Sequence, residues 1–351
     1  MKALLKFAKG QGNVGIKDIP KPTPGKGEAV IKVQAAGVCG TDVHIYYNRF
    51  PNSPPVILGH EFSGVIECLG PEVETFQAGE RVVSENNPFA CGFCKICSLG
   101  YPNLCPHKKA MGILSDGCFA DYVKLPASLL HRIPDNISFK EAALCEPLAV
   151  AVHAVSDRCG IEPDDTVVIF GPGAIGLLSA QVAIAEGAGK VLLIGTTKDE
   201  KIRFECAGKL GIETLNIEKE DLKEKLISLT QGTGPDVIIE ASGSKEAINQ
   251  GLNLLRKNGR MAVSGITGQN GITLDWDQMV SKALSLFFTY SSRRQNWEKA
   301  LRLLSDKKVK TSPLITHKLR IEEWEKAFCV LETLEAIRPV FLIGENLKGN
   351  E

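Results

Sequence analysis

No run of apolar residues reaches the roughly 18 that a membrane-crossing helix requires, and the N-terminus, MKALLKFAKGQGNVG, has neither a sustained apolar stretch nor an export cleavage site. A cytoplasmic protein, with no membrane partner, is expected. An excess of either charge is missing as well: 41 basic and 41 acidic residues cancel, and like charges do not cluster in blocks. That removes the electrostatic footprint of a nucleic-acid or anionic-membrane partner and leaves a small neutral substrate as the better fit. Tandem repeats and low-complexity linkers are also lacking. The cysteine count is not even: eleven cysteines in a reducing compartment argue against a disulfide framework, so the thiols are free or bound to metal. Cys68, Cys118, Cys145, Cys159, Cys206 and Cys329 lie scattered among apolar or helical neighbours and read as small buried hydrophobes.

What is present divides into two textures, and 351 residues suit two domains. Up to about residue 150, alternating runs such as AVIKVQAAGV and FSGVIECLG are broken by Pro and Gly clusters, which predicts a mainly β domain. After residue 160, the short apolar runs TVVIF, VLLIG, DVIIEAS, GRMAVSG and LSLFFTY alternate with helix-length segments. This rhythm predicts an α/β doubly wound parallel sheet. In the tail, NWEKALRLLSDK and IEEWEKAFCVLETL read as amphipathic helices around a short strand, PLITHKL.

The run TVVIFGPGAIGLLSAQ places Gly171, Gly173 and Gly176 as G-x-G-x-x-G between an apolar strand and a helix that opens through Ala174 and Ile175. In that context the pattern predicts a dinucleotide site: Gly171 for the tight turn, Gly173 for backbone approach to a pyrophosphate, Gly176 for helix packing on the strand. The second strand ends at Gly195, where an NAD site usually carries a carboxylate for the ribose 2′-hydroxyl. Thr196, Thr197, Lys198 and Arg203 follow with hydroxyls and positive charge, which tilts the expectation to NADP; Asp199 and Glu200 in the same loop leave NAD open.

CGFCKICSLGYPNLC spaces Cys91, Cys94, Cys97 and Cys105 as C-x2-C-x2-C-x7-C. Four thiolates on one Gly- and Pro-turned loop suit tetrahedral zinc, with no position left for substrate, so this site is structural. An iron–sulfur cluster is the other chemistry that four cysteines permit. Reactive chemistry then falls to VCGTDVH, LGHEFSG and LCEPLAVAVHA. Cys39, His60 and Glu61 supply a thiolate, an imidazole and a carboxylate, a set that binds zinc and leaves one position open.

These segments, in this order and spacing over nearly the whole chain, resemble the zinc-dependent medium-chain dehydrogenases. EPLAVAVHA resembles the polyol branch, typified by sorbitol (L-iditol) 2-dehydrogenases, while CGTDVHIY also resembles L-threonine 3-dehydrogenases and butanediol dehydrogenases. The resemblance implies two zinc ions per subunit: a catalytic one on Cys39, His60, Glu61 and a water, and a structural one on the four-cysteine loop. It implies that Glu146 hydrogen-bonds that water or enters as an alternate ligand, and that Thr41 and His44 relay a proton or touch the cofactor, with His44 as a surface bystander the other option. It further implies a GroES-like catalytic domain in two parts, residues 1–155 and 291–351, around a Rossmann domain at 156–290, with the nicotinamide meeting substrate between them. Relatives assemble as homotetramers or dimers, here through LSLFFTY. The expected activity is reversible oxidation of a secondary alcohol, most simply a polyol to a ketose; a non-catalytic descendant is the reading from a different class. Two departures stand out. Ser292 and Arg293 occupy the place of an Arg-Tyr pair that positions the polyol in the sorbitol enzymes, and the segment between Cys39 and His60 is shorter. Tyr46, Phe50 and Phe119 are candidates for pocket lining or for packing.

Overall fold

The alternating run AVIKVQAAG becomes the strand Glu28–Gly37, which pairs antiparallel with Glu61–Leu69, Tyr122–Pro126 and the C-terminal strand Arg338–Leu342. Arg81–Ser84 and Leu130–Arg132 extend this seven-stranded sheet on one side and Ile315–Leu319 on the other. A second sheet of three antiparallel strands sets Lys2–Lys6 between Val14–Asp18 and Val56–Ile57. Residues 1–344 are described by the computed structural model. The inward residues, among them Leu4, Ile31, Val33, Leu58, Phe62, Phe119 and Phe341, form one core cluster. Phe119 is fully buried and meets Phe341 edge-on at 5.0 Å, so it is a packing residue.

The second unit is a six-stranded sheet in which every pair is parallel. Numbered within the unit, its strands run 3-2-1-4-5-6: Glu213–Asn216, Lys190–Gly195, Thr166–Phe170, Val237–Glu240, Arg260–Val263 and Ser285–Phe288. This is the doubly wound order, with its switch point between Thr166–Phe170 and Val237–Glu240. Both of those strands are buried at every position, which is why TVVIF and VIIE read as continuous apolar runs: a central parallel strand has both faces covered.

The chain divides into one unit of Met1–Glu146, Arg293–Ser305 and the chain from Leu314, and a second of Pro147–Ser292 with Asp306–Pro313. The first boundary, expected at 155/156, lies at 146/147. The helix Cys145–Val152 runs on into a π-helical turn, His153–Cys159, that packs on Arg260–Val263 and Ser285–Phe288 and so belongs to the second unit. The unexpected return at residues 306–313 has a polar cause. The buried Gln181 side chain donates to the Lys310 carbonyl at 3.2 Å and accepts from the Lys310 amide at 2.8 Å. Among the described residues no helix is long and apolar enough to cross a membrane.

Candidate functional site

His60 and Glu61 are delivered by a turn that only glycine permits. Gly59 has φ +89°, and a Cβ there would lie 2.3 Å from the Phe119 ring. Glu61 opens the strand Glu61–Leu69, with a carboxylate oxygen so close to Gly37 that a Cβ on that residue would stand 2.4 Å away. Cys39 comes from the N-cap of the helix Gly40–Tyr46. The donor atoms of Cys39, His60 and Glu61 lie within 4.8 Å of one another. Asp42, fully buried, accepts from the Cys39 amide at 2.9 Å and sets Oδ1 3.6 Å from His60 Nδ1, which leaves Nε2 turned toward Glu61.

The charge balance of this pocket calls for a cation. Glu61, Asp42 and Glu146 are buried carboxylates beside a thiol, and they face one guanidinium, Arg338, whose Nη1 lies 3.1 Å from Glu61 Oε1 and donates to the Val38 carbonyl. Neither Glu61 oxygen accepts a hydrogen bond within the described residues. Buried anions in such excess are costly unless further positive charge is supplied. Burial alone would lower the His60 pKa, but Asp42, aided by Cys39, outweighs it and holds the imidazole well above its ordinary range. The protein thus draws in a proton where a divalent ion would neutralise the pocket, and thiolate, imidazole and carboxylate fit zinc.

Glu146 is buried too. Burial first, and then the charge of Glu61, pushes its carboxyl up to about 7, and Asn86 Nδ2 donates to its Oε1 at 2.6 Å. Thr41 Oγ1 stands 3.7 Å from Cys39 Sγ. His44 is three residues further along the same helix, hence on the same face, and is exposed beside Val43, Tyr47, Arg49, Leu331 and Glu332. Arg293, one of the two departures noted in the sequence, stacks its guanidinium 5.0 Å above the Tyr101 ring. Tyr46 packs against Tyr47, Trp324 and Phe328.

All eleven cysteines are free thiols. In the four-cysteine loop the sulfurs are 3.6 Å (Cys91–Cys105), 4.0 Å (Cys91–Cys97) and 4.0 Å (Cys94–Cys105) apart. That is far beyond a disulfide bond, but a tetrahedron of zinc–sulfur bonds has edges of about 3.8 Å. Backbone amides already point at the sulfurs: Cys94 to Cys91, Cys97 to Cys94, and Cys91 and His107 to Cys105, at 3.4 to 3.5 Å. The Cys91 amide, followed by that of His107, pulls Cys105 down to about 6, while burial pushes Cys97 up to about 12.

In the second unit, the three glycines of the strand–turn–helix run meet different steric surroundings. Gly171 has φ +96°, and a Cβ at Gly176 would lie 1.9 Å from the Gly171 carbonyl oxygen; at Gly173, which caps the helix Ala174–Ala185, a Cβ would meet nothing within 4 Å. That unfilled face at a helix N-terminus suits an approaching pyrophosphate. Gly176→Ala is therefore expected to cost at least about 3 kcal/mol of stability in thermal unfolding. Gly173→Ala should stay within about 1 kcal/mol yet weaken dinucleotide binding at least tenfold by calorimetry, roughly one lost pyrophosphate contact. Past Gly195, Asp199 pairs with Arg203 at 2.8 Å and accepts from Thr196, so Arg203 is not free for a 2′-phosphate. Thr197 and Lys198 are exposed.

Residues 25–135 match the family model described as alcohol dehydrogenase GroES-like domain, and residues 174–306 the one described as zinc-binding dehydrogenase. The sorbitol dehydrogenase of Halalkalibacterium halodurans is 42% identical over 96% of this chain and 98% of its own length. The L-threonine 3-dehydrogenase of Bacillus subtilis is 37% identical over 93% and 94%. The chain belongs to the zinc-dependent medium-chain alcohol dehydrogenase family, in its polyol branch. Its fold also matches the crystal structure of a zinc-binding dehydrogenase of Sinorhizobium meliloti bound to NADP, with TM-score 0.90 and 29% identity over 97% of this chain and 98% of that one.

As a member of this family the protein is an alcohol dehydrogenase, and several residues that shape its site escaped the sequence. Asp42 carried a signal, since an acid three residues after Cys39 fits a helix-capping pattern. Asn86 and Arg338 had none: they reach Glu146 and Glu61 from 60 and 277 positions away. Glu240 is fully buried at the end of its strand, where Oε1 accepts from Ser242 and Gly243.

Proposed function

We propose that the protein oxidises a secondary alcohol of a polyol to the corresponding ketose, reversibly, with a nicotinamide dinucleotide as hydride acceptor. The observation that carries this reading is the Cys39–His60–Glu61 set, with buried His60 and Glu61 beside half-buried Cys39 and both Glu61 oxygens without a hydrogen bond among the described residues, in a chain 42% identical to a sorbitol dehydrogenase. Zinc on those three residues would polarise the substrate hydroxyl, and the nicotinamide would take the hydride. Glu146, oriented by Asn86, receives the hydroxyl proton, and Thr41 with His44, on one helix face, passes it to solvent. The balance is one alcohol and one oxidised dinucleotide giving one ketone, one reduced dinucleotide and one proton.

A second zinc on Cys91, Cys94, Cys97 and Cys105 would be closed to substrate and structural, giving two per chain. Gly171, Gly173, Ala174, Ile175 and Gly176 cradle the pyrophosphate, and residues from Gly195 onward face the adenosine ribose. Thr196, Thr197 and Lys198 favour NADP, while the hold of Asp199 on Arg203 favours NAD. The edge strand Ser285–Phe288, with Phe288 72% exposed, supports pairing with a second copy in a dimer or tetramer. Eleven free thiols suit the cytoplasm.

Sorbitol, xylitol, 2,3-butanediol and L-threonine, assayed side by side with NAD and NADP, test the reading. A polyol should exceed threonine in kcat/KM by at least about tenfold, because a site that hydrogen-bonds several hydroxyls discriminates against an analogue lacking them. The opposite order would favour threonine oxidation, the reading that the 37% identity to the Bacillus subtilis enzyme supports.

A further inference from the structure

The carboxylate absent from the end of the second strand of the dinucleotide fold has no room there. A Cβ at Gly195 would stand 2.8 Å from the Phe204 ring and 2.8 Å from Pro172 Cγ. The next two acids are already committed. Asp199, 6% exposed, accepts from the Thr196 amide and hydroxyl and pairs with Arg203. Glu200 Oε1 accepts from Asn216 Nδ2 at 2.7 Å and pairs with Lys219 at 2.7 Å. A different carboxylate approaches this loop from the turn that follows the neighbouring strand. Gly195 is in register with Asn216, the Ile217 amide donates to the Gly195 carbonyl at 3.1 Å, and Glu218 Oε2 then accepts from the Thr197 amide at 3.0 Å. Asn216, 3% exposed, locks this arrangement: its Nδ2 donates to Thr197 Oγ1 at 3.2 Å and its Oδ1 accepts from the Glu218 amide at 3.0 Å.

We propose that Glu218 is the residue that selects the dinucleotide, accepting a hydrogen bond from the ribose 2′-hydroxyl and repelling a 2′-phosphate, so that the protein prefers NAD to NADP. This rests on reading the Gly171–Gly176 loop as a dinucleotide site. The exposed Thr197 amide lies two residues beyond the strand end that usually serves the ribose, and it already holds a carboxylate. A 2′-phosphate would have to displace Glu218 from that amide and then lie beside its charge. The Thr197 contacts, with the charge of Lys198, keep Glu218 below the usual glutamate range, so it is ionised at neutral pH. Lys198 offsets it in part, while Arg203 and Lys219 are bound to Asp199 and Glu200. The tilt to NADP read from the sequence counted Arg203 as available and did not foresee a carboxylate arriving from another strand.

Isothermal titration of the zinc-loaded, full-length protein with NAD, NADP, ADP and 2′,5′-ADP tests the proposal without relying on turnover. The wild type should bind NAD at least about tenfold tighter than NADP, and ADP tighter than 2′,5′-ADP by a similar factor, about the size of one like charge at about 4 Å largely screened by water. Glu218→Gln keeps an acceptor for the Thr197 amide and removes the charge. It should narrow both ratios about tenfold with an unchanged melting temperature, and Glu218→Lys should reverse them. A wild type that prefers NADP, or a Glu218→Gln protein with the wild-type ratio, overturns the proposal while the dehydrogenase reading stands. Failure of all four nucleotides to bind the wild type would overturn both.

Discussion

Replacing Glu61 by glutamine is expected to lower kcat/KM by about three orders of magnitude while the protein stays folded. The amide keeps the size of the side chain and loses the charge that, with Cys39, would hold a divalent ion in this pocket. Three decades correspond to about 4 kcal/mol of transition-state stabilisation, the scale of a lost metal ion acting on the reacting oxygen. Folding should survive because Arg338 is not stranded: the Val38 carbonyl still accepts from it and the carboxylate of Glu146 remains in its electrostatic reach. Metal analysis should find the zinc content falling from about two per chain toward one, and Cys39→Ser should behave alike. A Glu61→Gln enzyme that turned over normally with that one metal lost would remove the basis of the proposed chemistry.

Cys94→Ser should do the reverse, lowering the melting temperature by about 10 °C, the shift from losing roughly 4 kcal/mol in a unit of this size, with turnover per folded molecule within about threefold of wild type. Cys94 caps the short helix Lys95–Ser98 through the Cys97 amide, and the sulfurs on either side are spaced for a shared ion. The loop has little else to hold it: of the four cysteines Cys105 alone is buried, and Phe93 and Leu99 are exposed. Removing one of the four proposed zinc ligands would therefore take away the main brace of the segment. Normal stability accompanied by selective loss of turnover would assign the chemistry to the wrong metal position.

The sequence was most informative where function depends on local geometry. The four-cysteine loop, the strand–GxGxxG–helix unit and the Gly-His-Glu turn each lie within a short window, because ligand spacing, positive φ and helix-end anion binding are properties of neighbouring residues. Signals failed where a contact joins residues far apart in the chain. Asn86 on Glu146, Arg338 on Glu61 and Glu218 on Thr197 follow no periodicity, since tertiary packing brings their segments together. The boundary expected at 155/156 differs from the division at 146/147, which falls inside a helix, because packing partners change there without a break in helical structure.

Composition and local pattern alone specified a parallel dinucleotide-type sheet, a β-rich unit and a four-cysteine loop, and named Cys39, His60 and Glu61 as candidate ligands. These follow from side-chain chemistry and from hydrophobic period, both written in consecutive residues. Tertiary structure alone decided that Glu61, Asp42 and Glu146 would be buried beside Arg338, that Arg203 would be taken by Asp199, and that Glu218, from the turn after the neighbouring strand, would meet the Thr197 amide. Charge compensation and steric exclusion depend on distances through space, and those exist only once the strands have paired.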